Sequence, residues 1–422
     1  MNSAAVPQAL TQAQVCWQRG DLIQAETLCR QILLRDRANA STYAVLASVL
    51  MQGGQIAQAE PVGRQWAAHC PGDAHAHAFL GHVLRELGHT EAAMRCWQHA
   101  LRLPGEQGDL HYRLGRTLLD LGQDAQALAE LAAAQCDAQV HEEALLWQIR
   151  VLHRLQRCDQ ARQLLGDALF RLSTTGQEGQ IVKLWLALFP QDEVPNHRLA
   201  AQGGVAAPAR ASDAYVSYLF DHYADSFDVQ LAKLHYRAPE LIAGQLAQSL
   251  PSPQAHWRVL DAGCGTGLCG VWLRPYAREL TGVDLSPGMV AKARARGGYD
   301  RLEVAELTQF LARKDAAFEL IVSADTLVYF GDLVAVLTAA SKALTGGGWL
   351  AFSLEQAEPG DAPDWQLSRS GRYRHAQGYV EHVVRGSGLH LQAVTPVTLR
   401  LNAQLPVKGL IVLASRPYSE SI

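Results

Sequence analysis

At 422 residues the chain is long enough for two or three domains. An apolar fraction of 48% with 18% charged residues belongs to a water-soluble globular protein, and a net charge of −4 argues against a broad surface for nucleic acid or for an acidic membrane. No run approaches the roughly 18 uncharged apolar residues that a membrane-crossing helix needs. The first ten residues lack a basic region followed by an apolar core, so the cytoplasm is the expected compartment. Eight cysteines stand singly, none in C-x-x-C, which fits reduced thiols and argues against zinc.

The first half repeats. Ala25, Ala59, Ala93, Ala127 and Ala161 lie 34 residues apart, and Gly20, Gly54, Gly88 and Gly122 keep the same interval, with Gln156 in the fifth glycine position. Small residues also recur at Ala13, Ala47, Gly81 and Gly115 before Ile149 breaks the series. Each unit predicts two amphipathic helices, with the glycine supplying the turn between them and the alanine the close helix crossing. This spacing resembles the tetratricopeptide repeat over roughly residues 6–175. The resemblance implies a solenoid of stacked helix pairs whose concave face binds a protein partner; a scaffold that only orients or dimerises the enzyme is the alternative. Residues 179–188 read as a further helix capping the array. Trp17, Trp66, Trp97 and Trp147 read as packing between helices or, for one of them, partner contact. The histidines His75, His77 and His82 lack the i,i+4 spacing and third carboxylate of a metal site.

Residues 190–211 hold Pro195, Pro208, Gly203 and Gly204 without an apolar period and are expected to form a linker between a repeat domain (6–189) and a second domain (212–422). Phe220, Tyr223 and Phe227 then recur at helical spacing. Their setting, F-D-x-Y-A-x-x-F-D, resembles the N-terminal lid of small-molecule methyltransferases, which implies that Tyr223 and Phe227 cover the cofactor; a plain amphipathic helix on the sheet is the other reading.

Residues 258–262 form an apolar run that ends in glycines at alternate positions, Gly263, Gly265 and Gly267. This predicts a buried parallel strand, a sharp turn that lets a ligand approach the backbone, and a helix from near Leu268. The segment V-L-D-A-G-C-G-T-G resembles motif I of class I S-adenosylmethionine-dependent methyltransferases, while G-x-G-x-x-G spacing from Gly265 also fits a dinucleotide site. The methyltransferase resemblance places Asp261, Gly263, Cys264, Gly265 and Gly267 at the cofactor.

Asp284 ends the second strand, where an acidic side chain accepts both ribose hydroxyls of either cofactor. Leu285 and Met289, in a D-x-S-x-x-M turn, are expected against adenine, with a core role for Met289 equally open. By the same resemblance Glu306 and Leu307 follow the third strand at the adenine position, although many relatives carry aspartate there. The fourth strand, 318–324, brings Ala324 and then Asp325 to the edge where acceptors dock; Asp325 reads as a catalytic polar group or as a helix cap. After a helix (333–344), a glycine turn (346–348) and a fifth strand (349–354), a loop at 368–375 holds three arginines and His375. It reads as an anion site with His375 as general base, or as a solvated surface loop. A helix (376–385) and an antiparallel strand pair (389–401, 408–414) complete the expected seven-stranded Rossmann-like sheet.

The expected function is transfer of a methyl group from S-adenosylmethionine to an O or N acceptor on a small molecule. No metal, nucleic acid or membrane is expected. The alternatives are a protein methyltransferase whose substrate the repeats recruit, an inactive repeat interaction protein, and an NAD-dependent oxidoreductase.

Overall fold

The 34-residue interval becomes a helix pair and a turn in the computed structural model, which describes residues 5–105, 107–173, 177–358, 364–402 and 404–418. The chain divides into two compact units, Met1–Asp167 and Ala168–Ile422. In the first, the helices Ala5–Gln18, Leu22–Leu33, Ala40–Gln52, Ile56–His69, Ala74–Glu86, Thr90–Ala100, Gly108–Asp120, Asp124–Ala134 and His141–Arg154 follow in order, each packed on the next. The four repeat glycines have φ between 68° and 82°, and Gln156 adopts 58° in the same place. That left-handed residue ends the first helix of each pair. All five repeat alanines are fully buried. At Gly81 a Cβ would sit 2.6 Å from Trp97 Nε1, so the small residue sets how closely the helices cross. Trp66 and Trp97 are core residues whose ring N–H groups donate to Asp73 Oδ2 (3.0 Å) and the Ala78 carbonyl (3.2 Å). Trp147 instead lies beneath the Arg116 guanidinium, 3.8 Å from the ring centre.

The second unit begins earlier than the sequence suggested. Helices Gly179–Leu188 and Glu193–Ala201 both belong to it, so the first caps no repeat within the other unit and residues 190–211 are not a free linker. Val194, His197, Arg198, Ala200 and Ala201 are buried, because this short helix packs through histidine and arginine as well as apolar groups and so shows no apolar period. Helices Asp213–Tyr223, Phe227–Lys233 and Ala238–Ser249 lead into the sheet.

Among the described residues the sheet has nine strands rather than the expected seven: β1 (Trp257–Ala262), β2 (Ala277–Asp284), β3 (Arg301–Val304), β4 (Phe318–Ser323), β5 (Leu344–Gln356), β6 (Trp365–Leu367), β7 (Tyr373–His375), β8 (His390–Asn402) and β9 (Leu405–Ser415). Strands β3-β2-β1-β4-β5 are parallel neighbours; β9 runs antiparallel to β5 along residues 349–355, and β8 antiparallel to β9. The two extra strands form an antiparallel hairpin whose β7 joins the C-terminal end of β5. Leu367, Tyr373 and His375 turn inward while Gln366 is exposed, a period-two pattern too short to stand out beside the arginines. The expected glycine turn at 346–348 lies within β5, and the helix after the glycine loop is only Gly270–Leu273. Val259, Leu280, Leu320, Val322 and Ala351 fill the sheet's core against Ile242 and Leu246. All parallel strands therefore end at one edge, where open α/β sheets bind ligands.

Candidate active site

Three loops meet at that edge. The first is 263–269, after β1. Gly263 has φ 82°, and a Cβ there would lie 2.0 Å from Thr326 Oγ1, so no other residue fits both the turn and the neighbour. Gly265 has φ 51°; its backbone faces the Phe227 ring, with the nearest ring carbon 3.8 Å from where a Cβ would stand. The second loop is held by Asp284. Gly265 N–H donates to its Oδ2 and Ser286 N–H to its Oδ1, both at 2.9 Å. Burial pushes the Asp284 carboxyl up, and the Ser286 and Gly265 N–H groups pull against that rise. The third loop, after β4, starts at Asp325.

One cavity is lined by Phe227, Gly263, Cys264, Gly265, Asp284, Leu285, Glu306, Leu307, Ala324 and Asp325, which brings together ten of the fifteen site residues expected from sequence. The remaining five stand elsewhere. Asp261 is fully buried behind the loop, where Tyr299 Oη donates to its Oδ2 at 2.6 Å. Gly267, at φ 91°, packs against Tyr299 rather than the cavity. Met289 is fully buried and does not line the cavity, as its core reading expects. Tyr223 packs edge-on against Phe170, with ring centres 4.6 Å apart, and lines a neighbouring cavity. His375 lines neither cavity. It is fully buried, its Nε2 meets the Gly331 carbonyl at 3.1 Å, and burial pushes its pKa down to about 4. Sealed in the hairpin away from both cavities, it is no general base for this site.

Glu306 also departs from expectation. It is the N-cap of helix Leu307–Ala312, its two oxygens accepting the N–H groups of Thr308 (3.0 Å) and Gln309 (2.8 Å). Glutamate here reaches both amides, and Arg210 Nη1 approaches at 3.6 Å. One lone pair on each oxygen is thereby used within the protein.

Sequence reading picked out the aromatics of the lid segment and passed over its aspartates. Asp228 accepts from Thr266 Oγ1 (2.6 Å) and pairs with Arg296, which in turn donates through Nε to the Thr266 carbonyl (2.7 Å). Asp221 accepts from Ser286 Oγ and Gly288 N–H. These two carboxylates tie the covering helices to the glycine loop and to the turn after Asp284. The F-D…F-D pattern was the available signal.

The largest omission is a charge cluster under the third loop. Arg400 on β8 donates to Asp325 Oδ2 (2.9 Å) and bonds Glu355 Oε1. Arg372 lies 3.6 Å from Asp325 and 3.5 Å from Glu355, and its Nε donates to Tyr329 Oη at 3.3 Å. Arg374 reaches Glu355 at 3.9 Å. Asp325 itself has φ 55°, held by its N–H donating to Ser353 Oγ (2.8 Å), and its Oδ1 is buried without a hydrogen-bond partner. Strain at a non-glycine residue is found where surroundings over-determine it, as this cluster does. Although burial acts the other way, the three guanidinium groups hold the Glu355 carboxyl below the usual carboxylate range.

A second cavity of about 800 Å³ adjoins the first and shares Phe220, Phe227, Leu231, Tyr329 and Arg372 with it. Its wall is aromatic (Tyr215, Tyr218, Tyr223, Phe170), and Arg198, Arg369, Arg372 and Arg400 reach it.

Residues 260–352 match the family described as "Methyltransferase domain". The chain carries a methyltransferase domain. The match favours the methyltransferase reading of the glycine spacing, with S-adenosylmethionine as its expected cofactor, over the dinucleotide reading. The human "Methyltransferase-like protein 27" is 44% identical over 93 residues, covering 22% of this chain and 38% of that protein. The Serratia marcescens malonyl-[acyl-carrier protein] O-methyltransferase is 32% identical over 165 residues, 38% of this chain and 61% of that one. The chain thus spans less than two thirds of either relative. A solved S-adenosylmethionine-dependent methyltransferase from Mesorhizobium loti is 27% identical, with 41% of this chain and 96% of that chain covered and a TM-score of 0.33.

The first cavity suits this cofactor. Asp284 spends one lone pair per oxygen on backbone N–H groups and keeps acceptor capacity for a ribose diol. The loop that follows β1 admits no side chain at Gly263. Phe227 faces Gly265, and the apolar Leu285, Ala305 and Leu307 also line the cavity.

Proposed function

We propose that this protein transfers a methyl group from S-adenosylmethionine to an O or N atom of a small-molecule acceptor, and that its repeats, of tetratricopeptide type, bind a protein partner. The observation that carries the first part is the pair of adjoining cavities within one unit, one built around Asp284 and the glycine loop, the other aromatic and basic. Bound in the first, the cofactor supplies an electrophilic methyl carbon. The protein's own share is alignment and exclusion of water. Phe220 and Phe227 form the shared wall, while Asp221 and Asp228 hold their helices against the cofactor loops. The relatives' printed names, including malonyl-[acyl-carrier protein] O-methyltransferase and, from Xylella fastidiosa, ubiquinone biosynthesis O-methyltransferase, accord with such an acceptor. The partner reading rests on the 34-residue interval and on the left-handed turns and buried alanines that accompany it.

The test is calorimetric titration with S-adenosylmethionine, S-adenosylhomocysteine and NADH. Asp284→Ala removes the diol's acceptors, each worth about 1.5–3 kcal/mol for a charged group, so affinity for the sulfur compounds falls by roughly a hundredfold or more. Binding of NADH alone, or equal affinity in the variant, refutes the reading.

A further inference from the structure

We infer that the acceptor is an aromatic carboxylic acid and that the atom methylated is an oxygen of its carboxylate, held by Arg372. This rests on the proposed function above and narrows it. The first argument is charge. Asp325 and Glu355 face three guanidinium groups, those of Arg372, Arg374 and Arg400, so the cluster keeps one positive charge beyond its own needs. Arg400 makes the close contacts to both carboxylates, and Arg372 stands further off at 3.5–3.6 Å. Arg372 is also the arginine that lines both cavities. A planar guanidinium at that junction matches a carboxylate in two parallel hydrogen bonds.

The second argument is the lack of a base. Among the described residues no histidine or lysine lines either cavity. The four lining carboxylates each already face protein donors: Asp284 those of Gly265 and Ser286, Glu306 those of Thr308 and Gln309, Asp325 that of Arg400, and Glu178 those of Arg198 and Gln202. Asp325 Oδ1 and Glu178 Oε2 are their two buried oxygens left without a hydrogen-bond partner. Burial holds the hydroxyls of Tyr215, Tyr223 and Tyr236 and the thiols of Cys264 and Cys269 in their neutral forms. A phenol or an ammonium would have to lose a proton here; a carboxylate has already lost it. In the transfer a carboxylate oxygen bonds to the methyl carbon, the carbon–sulfur bond breaks, and its electron pair stays on sulfur. The products are a methyl ester and a thioether, and no proton moves. The third argument is the wall, since Tyr218, Phe220, Tyr223 and Tyr329 offer ring faces and edges to a planar acceptor.

The probes are 1-naphthoate and 4-hydroxybenzoate with their primary amides, titrated into the full chain saturated with S-adenosylhomocysteine. The acids should bind roughly tenfold or more tightly than the amides. Arg372→Gln should erase that preference, and Arg372→Lys should restore part of it. With methyl-tritiated S-adenosylmethionine, label should pass to the acids at a rate flat between about pH 6 and 9, and mild alkali should then release it as methanol. Equal binding of acid and amide, a preference that survives Arg372→Gln, alkali-stable label, or no binding by any acid overturns the inference. The cofactor reading would stand in each case, because S-adenosylhomocysteine binding measures it separately.

Discussion

Asp261→Asn should make the second unit more stable, and increasingly so as pH rises. Asp261 is fully buried on β1, accepts one hydrogen bond, from Tyr299 Oη at 2.6 Å, and leaves Oδ1 without a hydrogen-bond partner. Burial pushes its carboxyl from 3.8 up to about 7, the Tyr299 hydroxyl lowering it and Asp284 raising it further. Below pH 4 the group is protonated in folded and unfolded chains alike, and its contribution is complete. Between about pH 4 and 7 the unfolded chain ionises while the folded chain keeps its proton, so stability falls with rising pH. At about 1.4 kcal/mol per pH unit, the cost is roughly 1.5 kcal/mol at pH 5 and about 4 kcal/mol at pH 8. Asparagine offers Tyr299 the same acceptor and carries no charge. The advantage of the variant should therefore grow by about 2.5 kcal/mol from pH 5 to pH 8. His375, pushed down to about 4, has the opposite slope, but it is present in both proteins and drops out of their difference. The assay is urea unfolding across this pH range, followed by hydrogen exchange in β1. A difference that does not change with pH, or a variant less stable at pH 8, refutes the reasoning.

Arg400→Met leaves Asp325 and Glu355 buried without their close partner, which should destabilise the second unit by about 3–5 kcal/mol; adding Glu355→Gln should recover part of it, read as a shift in urea midpoint. In the first unit Gly81→Ala places a Cβ 2.6 Å from Trp97 Nε1. Its unfolding free energy should drop by about 1–3 kcal/mol, with S-adenosylhomocysteine affinity unchanged by calorimetry.

What could be read from the sequence is what backbone geometry demands locally. A left-handed turn wants glycine, so the repeat glycines and the 263–267 loop stood out, and their φ values account for it. Alanine at a helix crossing is equally local. The charge cluster is not local. Asp325, Glu355, Arg372 and Arg400 come from β4's end, β5, the β6–β7 hairpin and β8, and only the register of that sheet edge brings them together. His375 misled for a related reason. Three arginines nearby suggested an anion-binding loop with the histidine as its base, yet every second residue of that hairpin turns inward and carries the histidine with it. Tyr299 was invisible too, because its slot is made by Gly267, Gly270 and Gly282, which lie on three separate segments.

The aromatic cavity and its arginines answer one physical requirement. When a carboxylate takes a methyl group from a sulfonium ion, two opposite charges disappear, so the transition state carries less charge than the reactants. Water stabilises the reactants more than that transition state, and a wall of rings in place of water favours transfer. A wholly apolar pocket would fail at the earlier step, because stripping a carboxylate of water without a partner costs several kcal/mol. Arg372 supplies that partner, and the surrounding carboxylates keep its own charge from standing alone. Once the ester forms, the guanidinium loses its ionic partner and its hold on the product. The same residue that binds the acid therefore releases the ester, so product inhibition by the methyl ester should be weak in the parent protein and little changed by Arg372→Gln.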